Sequence, residues 1–168
     1  ASITGHLVLS SFHANSTSAA FSRMIDMIGV NPIFSSAVRL VIAQRLVRRL
    51  VDSSKEEYEP DEATRNYVKR VLEGIPEDTE HPDLDNFKLW RPVPTDDEPF
   101  GYKGRIVIME QMVVTEEIQK FIRGDIDDVH PEAIEKVARE QGMLTLEQVG
   151  VLAALRGETT LDEVGRVI

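Results

Sequence analysis

The spacing of apolar residues along the chain alternates between two short compact runs and a series of amphipathic segments. Gly5 to Phe12 (GHLVLSSF) concentrates its apolar residues behind a glycine and predicts a short buried strand. From Ser16 to Ile28 the period becomes helical, with Phe21, Met24, Ile25 and Ile28 on one face, Ser16 and Thr17 as capping hydroxyls and Gly29 as the stop. Asn31-Pro32 offers a cap and a first-turn proline to a second helix, predicted to run to about Val51. Arg45, Arg48 and Arg49 would then complement that helix's dipole. Between Asp52 and Gly104 lie six of the chain's eight prolines, and only one amphipathic helix fits, about Asp61 to Leu72, with Tyr67, Val68, Val71 and Leu72 on its apolar side. A short extended stretch is expected around Phe87 to Trp90. Arg105 to Met112 (RIVIMEQM) predicts the second good strand. Helices follow at Thr115–Arg123, Pro131–Gln141 and Thr145–Leu155, with a short one from Thr159, punctuated by Gly124, Gly142 and Gly157. No internal repeat or low-complexity tract interrupts this order. The pattern reads as a helix-rich α/β protein.

Composition narrows the class. The 168 residues suffice for a real core, and 42% hydrophobic with 29% charged residues is the balance of a folded chain. Zero cysteines rule out a disulfide framework, a thiolate zinc site, an iron–sulfur cluster and a cysteine nucleophile. No apolar run approaches the ~20 residues of a bilayer span, and the N-terminus lacks a signal-peptide layout, so a cytoplasmic chain is expected. The missing initial Met suggests that the natural chain extends upstream. The formal charge of −10 divides unevenly, with residues 1–51 at +4, 52–104 at −8 and 105–168 at −6. That balance argues against nucleic-acid partners, which need a basic face.

Few residues invite chemistry. His6 and His13 flank the first predicted strand, and seven residues of extended chain separate them by about 23 Å, too far to share a metal. His13, at the strand's C-terminal edge before a helix, occupies the place where α/β sheets put ligands. His6 reads rather as a packed or hydrogen-bonded structural residue. Ser10, Ser11 and Ser16 lack the G-x-S-x-G elbow of a hydrolase. His81 and His130 precede prolines in polar surroundings. Asp96-Asp97-Glu98 and Asp125-Asp127-Asp128 lack EF-hand spacing and read as solvated loops. Neither a G-x-x-x-x-G-K-[ST] loop to cradle a triphosphate nor a G-x-G-x-x-G fingerprint occurs.

Four stretches in order carry a resemblance. TGHLVLSSFHAN (Thr4 to Asn15) resembles the histidine box of the secretion ATPase superfamily. RMIDMIGVNPIFSSAVRLVIAQRLVRRL (Arg23 to Leu50) is similar to the two helices that follow it in type II secretion and type IV pilus assembly ATPases. GYKGRIVIMEQM (Gly101 to Met112) resembles the segment closing their cysteine-bearing insert, and Met143 to Ile168 resembles their C-terminal helices.

The resemblance implies the C-terminal portion of a RecA-like P-loop NTPase domain, divided into three parts. Residues 1–51 would be the end of the ATPase core, 52–104 an acidic insert, and 105–168 a strand with a C-terminal helical bundle. The parent would be a cytoplasmic homohexamer, peripheral to the inner membrane through platform proteins, that hydrolyses ATP with Mg. This chain would be inactive alone, since the phosphate-binding loop and the acidic Mg-associated strand would lie upstream. By the resemblance His13 would face the nucleotide phosphates, with His6 supporting it, and Gln44, Arg45 and Arg105 would stand at recurrent positions that either touch nucleotide or serve structural or subunit-interface roles. A non-catalytic helical module binding other subunits of the machinery is the alternative.

Assembly ATPases of this type often hold zinc with four cysteines. At the matching places stand Val51, Ser54, Pro94 and Asp97, which supply no thiolate, so no zinc is expected there. Packing of Tyr58, Tyr67, Phe87 and Trp90 would hold the insert instead.

Overall fold

The computed structural model describes residues 4–168. The fold is α/β, with seven helices and two small sheets among the described residues. The elements run α1 (Thr17–Ile28), α2 (Pro32–Ser35), β1 (Leu40–Leu50), β2 (Glu56–Tyr58), α3 (Glu62–Val71), β3 (Leu89–Arg91), β4 (Tyr102–Val113), α4 (Glu116–Arg123), α5 (Pro131–Glu140), α6 (Leu146–Leu155) and α7 (Leu161–Val167). β1 pairs with β4, and backbone bonds from Val114 N to Arg39 O and from Val51 N to Gly101 O mark the pair as antiparallel. β2 and β3 pair antiparallel with Glu56 opposite Arg91 and Tyr58 opposite Leu89. Among the described residues no helix is long and apolar enough to cross a membrane.

Contacts divide the chain into two units, one holding the chain up to Ala43 with Glu110–Met143, the other Gln44–Met109 with Leu144–Ile168. In the first unit Ser16 Oγ caps α1 by accepting from Ala19 N, and Asn31 Oδ1 caps α2 by accepting from Ile33 N and Phe34 N. The apolar faces of α1, α4 and α5 then close on the end of β4. Phe21, Met112, Ile118, Phe121, Ile122 and Ile134 are buried in that core.

In the second unit Asp61 caps α3, and a reciprocal Thr145–Gln148 pair caps α6. Val68, Val71, Leu72, Phe87 and Leu89 pack with Val151 and Leu152 of α6, so the core under the proline-rich region is completed by a C-terminal helix. Gln148, buried, donates from Nε2 to Val71 O. Gly157 closes the turn after α6 at φ +72°, and the Trp90 indole lies where any Cβ would stand, 2.7 Å away. Phe87 and Tyr67 contribute apolar surface to this core, whereas Tyr58 is exposed and Trp90, half-buried, packs at the Gly157 turn. Ser54 Oγ donates to Val93 O, next to Pro94, so a hydrogen bond joins these two loops.

Two expectations are corrected. The helix from Asn31 to Val51 is instead the single turn α2 followed by the eleven-residue strand β1. RLVIAQRLVRRL carries apolar residues at both helical and alternating spacings; β-branched Val41, Ile42 and Val47 and the partner β4 decide for the strand. Arg45, Arg48 and Arg49 therefore stand on a strand and complement no helix dipole. The strand from Gly5 to Phe12 is absent, and His6 and His13 flank an irregular segment. Its apolar residues fall on both faces (Leu7 is 88% exposed, Leu9 86%, Val8 53%), and such a run needs strand neighbours and cover on both sides to become a strand. The other helices appear within a residue or two of expectation. β4 is longer than the predicted Arg105–Met112, β3 is shifted to Leu89–Arg91, and β2 was not foreseen.

Candidate functional site

The first unit carries the two histidines. His13 is exposed four residues before α1, its backbone oxygen accepting from the Arg23 guanidinium at 3.4 Å. His6 is also exposed, with Nδ1 3.2 Å from Thr4 Oγ1. What fixes the end of this segment is Glu110. Buried on β4, it accepts from Thr17 N at 2.8 Å and from Thr17 Oγ1 at 2.5 Å, so a carboxylate sits against the free amides of the α1 N-terminus. Thr17 is thereby held to the strand, and the chain leading back to His13 leaves from a fixed point. Glu110 was not among the candidate residues. The signal was there, a lone acid inside the apolar run RIVIMEQM.

The second unit carries Gln44, Arg45 and Arg105. Gln44 is exposed on β1 and Arg105 exposed on β4. Arg45 is half-buried and spends Nε on Val167 O at 3.2 Å, tying β1 to the end of α7. The five candidate residues thus fall in different units, His6 and His13 in one, and Gln44, Arg45 and Arg105 in the other.

The strongest electrostatic feature of the second unit was not among the candidates. Glu163, 2% exposed on α7, accepts from Arg48 N at 3.0 Å and from the Arg48 guanidinium at 2.5 Å. Arg166 adds two bonds, Nε to Oε1 at 3.1 Å and NH2 to Oε2 at 2.9 Å. Burial opposes ionisation of this carboxyl, but the hydrogen bonds from Arg48 and Arg166 outweigh it and hold the pKa down to about 2. The Arg48 guanidinium lies 4.3 Å from the centre of the Tyr102 ring, and the Tyr102 hydroxyl meets Thr160 Oγ1 at 3.0 Å. The cluster clamps α7 onto β1 and β4.

The remaining polar candidates serve local structure. His81 Nε2 lies 3.1 Å from Pro76 O, and His130 occupies the cap position of α5 without a side-chain bond. Asp125 pairs with Arg123, and Asp128 Oδ1 accepts from His130 N. Among the described residues no group of three or more His, Cys, Asp or Glu side chains is placed to hold a metal ion.

With this geometry in hand, known proteins give a consistent comparison. The chain is 39% identical over 166 residues to the type IV pilus assembly ATPase PilB of Pseudomonas aeruginosa, covering 98% of this chain and 27% of that protein. It is 37% identical over 169 residues to type II secretion system protein E of Xanthomonas campestris pv. campestris, with the same shares. A putative type II secretion system protein E of Escherichia coli is 34% identical, covering 99% of this chain and 31% of that protein. The chain spans less than a third of the length of these curated relatives. Residues 1–166 match the sequence profile of one family, and the chain belongs to it: the Type II/IV secretion system proteins.

Proposed function

We propose that this chain is the C-terminal part of the RecA-like ATPase domain of a hexameric motor that powers type II secretion or type IV pilus assembly. The observation that carries the reading is the match along nearly the whole chain to a family whose relatives are named as assembly ATPases and secretion proteins. The parent uses ATP with Mg, works in the cytoplasm and reaches the inner membrane through platform proteins. The irregular Gly5–Phe12 segment, apolar on both faces, supports the reading, because it has the composition of an interior strand of a larger sheet.

In this reading His13 is the residue that meets nucleotide. An exposed imidazole can donate to a phosphate oxygen and exchange that partner once the phosphate leaves. Glu110 and Thr17 position the chain behind it, and His6 supports the segment. Gln44 and Arg105 are free to face a nucleotide or a neighbouring subunit, while the bond from Arg45 to Val167 O favours a structural part for Arg45. The residues here fit a contributing role only, since no phosphate-binding loop occurs within the chain.

Calorimetric titration with Mg-ATP tests this. The 168-residue chain is expected to give no binding heat, and His13→Ala in the full-length protein is expected to lower ATP turnover by about tenfold or more, as for loss of one phosphate-directed donor. Submillimolar binding by the chain alone, abolished in the variant, would overturn the fragment reading. Unchanged turnover would remove His13 from the site.

A further inference from the structure

The first amides of a helix point outward without intrahelical partners and carry partial positive charge, so phosphate groups settle readily on them. α1 starts four residues after His13, and its first turn is therefore the nearest competitor for any phosphate that meets that imidazole. In this protein the place is filled from within. Thr17 N and Thr17 Oγ1 both donate to one oxygen of Glu110, at 2.8 and 2.5 Å, and Ala19 N donates to Ser16 Oγ at 3.1 Å. Thr17 is fully buried and Glu110 is 2% exposed, so the contact is sealed from solvent.

Packing alone does not call for a carboxylate there. Met112, two residues further along β4, is fully buried in the first core, and an apolar side chain at position 110 would continue that face. It would also leave the buried amide and hydroxyl of Thr17 without this acceptor, which is costly. A phosphate seated on the helix start meets the same obstacle in reverse. It would have to displace Glu110 and leave a buried carboxylate stripped of these donors beside a second negative charge. The start of α1 is thus shut to phosphate, and the exposed imidazole of His13 is left to meet it.

We infer that Glu110 is a positioning residue that decides where phosphate lands. Its carboxylate takes the anion place at the start of α1, keeps the nucleotide off those amides, and pins the point from which the chain carries His13. This role rests on the reading of His13 as the nucleotide contact, and Glu110 itself touches no nucleotide. An ordinary cap comes from the residue next to the helix. Here the acceptor comes from β4, 93 residues away, so the place is filled only once the first unit has folded.

The test is a mutant cycle in the full-length protein. Glu110→Ala is expected to lower kcat for Mg-ATP by about tenfold with KM moving by less than about threefold, and to add less than about twofold in a His13→Ala background. Thr17→Val, which keeps the amide and deletes only the hydroxyl bond, is the milder variant, expected to lose about threefold and likewise nothing further without His13. Formate, the size of the deleted carboxylate, is expected at about 50 mM to restore turnover to Glu110→Ala but not to His13→Ala, with chloride of equal ionic strength restoring neither. In the purified 168-residue chain, formate is expected to raise the thermal midpoint of Glu110→Ala above its value in chloride and to leave the native midpoint where chloride leaves it. A His13→Ala loss to which Glu110→Ala adds its own full factor would overturn this inference alone, as would equal effects of formate and chloride on the Glu110→Ala chain. Full turnover by His13→Ala would overturn the reading beneath it and the positioning role together.

Discussion

Two buried glutamates, Glu110 and Glu163, organise their surroundings more than any histidine does. Each sits in apolar surroundings and is satisfied there, Glu110 by the amide and hydroxyl at the start of α1, Glu163 by two guanidiniums and a backbone amide. Removing the charge of Glu163 leaves Arg48 and Arg166 facing each other, and the buried Arg48 Nε already has no partner. Because both arginines are part-exposed, Glu163→Gln is expected to cost about 2–3 kcal/mol rather than the upper range for buried pairs. The shift in the urea midpoint at neutral pH measures it, and an unchanged midpoint would remove the clamp. The pH dependence follows with its sign. The folded pKa of about 2 lies below the ordinary value of 4.5, so the stabilisation is complete above pH 4.5 and is lost as pH falls toward 2. Denaturation curves between pH 5 and 2 are expected to steepen in their acid loss for the native protein and to flatten in that window for Glu163→Gln.

The helices were legible because their punctuation is local. Ser16, Asn31, Asp61, Thr115, Thr145 and Thr160 each accept from an amide two or three residues on, and those bonds need nothing from the rest of the fold. The strands were not legible in the same way. β1 and the Gly5–Phe12 run both hold apolar residues at mixed spacings, and what separates them is whether a partner strand is present, which no local pattern encodes. β2, only three residues long, owes its existence to pairing with β3 across cross-strand ion pairs such as Arg91–Glu56 at 2.8 Å. The same limit applies to the candidate site. His13 was legible as a residue type at the start of a helix, while the Glu110–Thr17 bond that positions it joins residues 93 apart. Gly157 shows how closely such distant elements can depend on one atom. Alanine there would have to adopt φ near +72° and displace the indole of Trp90, the only tryptophan. Gly157→Ala is expected to destabilise by about 2 kcal/mol or more and to shift the tryptophan emission to the red as the ring leaves its seat. Unchanged emission would mean that the turn relaxes instead.

Over the whole chain, the two cores each join segments far apart in the sequence. The first combines α1 with the end of β4, α4 and α5; the second combines α3 and β3 with α6. Neither core borrows a buried residue from the other, and the covalent continuity between the units includes β1 and β4, whose residues are shared out at Ala43/Gln44 and Met109/Glu110. Stability is therefore expected to be uneven, with each unit opening on its own before the whole chain unfolds. Phe121 is the residue with which to examine this, since it is buried in the first core. Phe121→Ala deletes an aromatic ring from a packed interior, a change that costs about 3–5 kcal/mol. Amide hydrogen exchange of the variant is expected to accelerate through α1, α4 and α5 and to remain slow in α6 and α7, whose buried bonds, such as Gln148 to Val71 O, belong to the second unit. Faster exchange in all five helices would mean a single cooperative unit in which β1 and β4 transmit the loss. Confinement of the change to the first three would mean that the histidine-bearing unit can loosen or order while the unit with the Glu163 clamp keeps its structure.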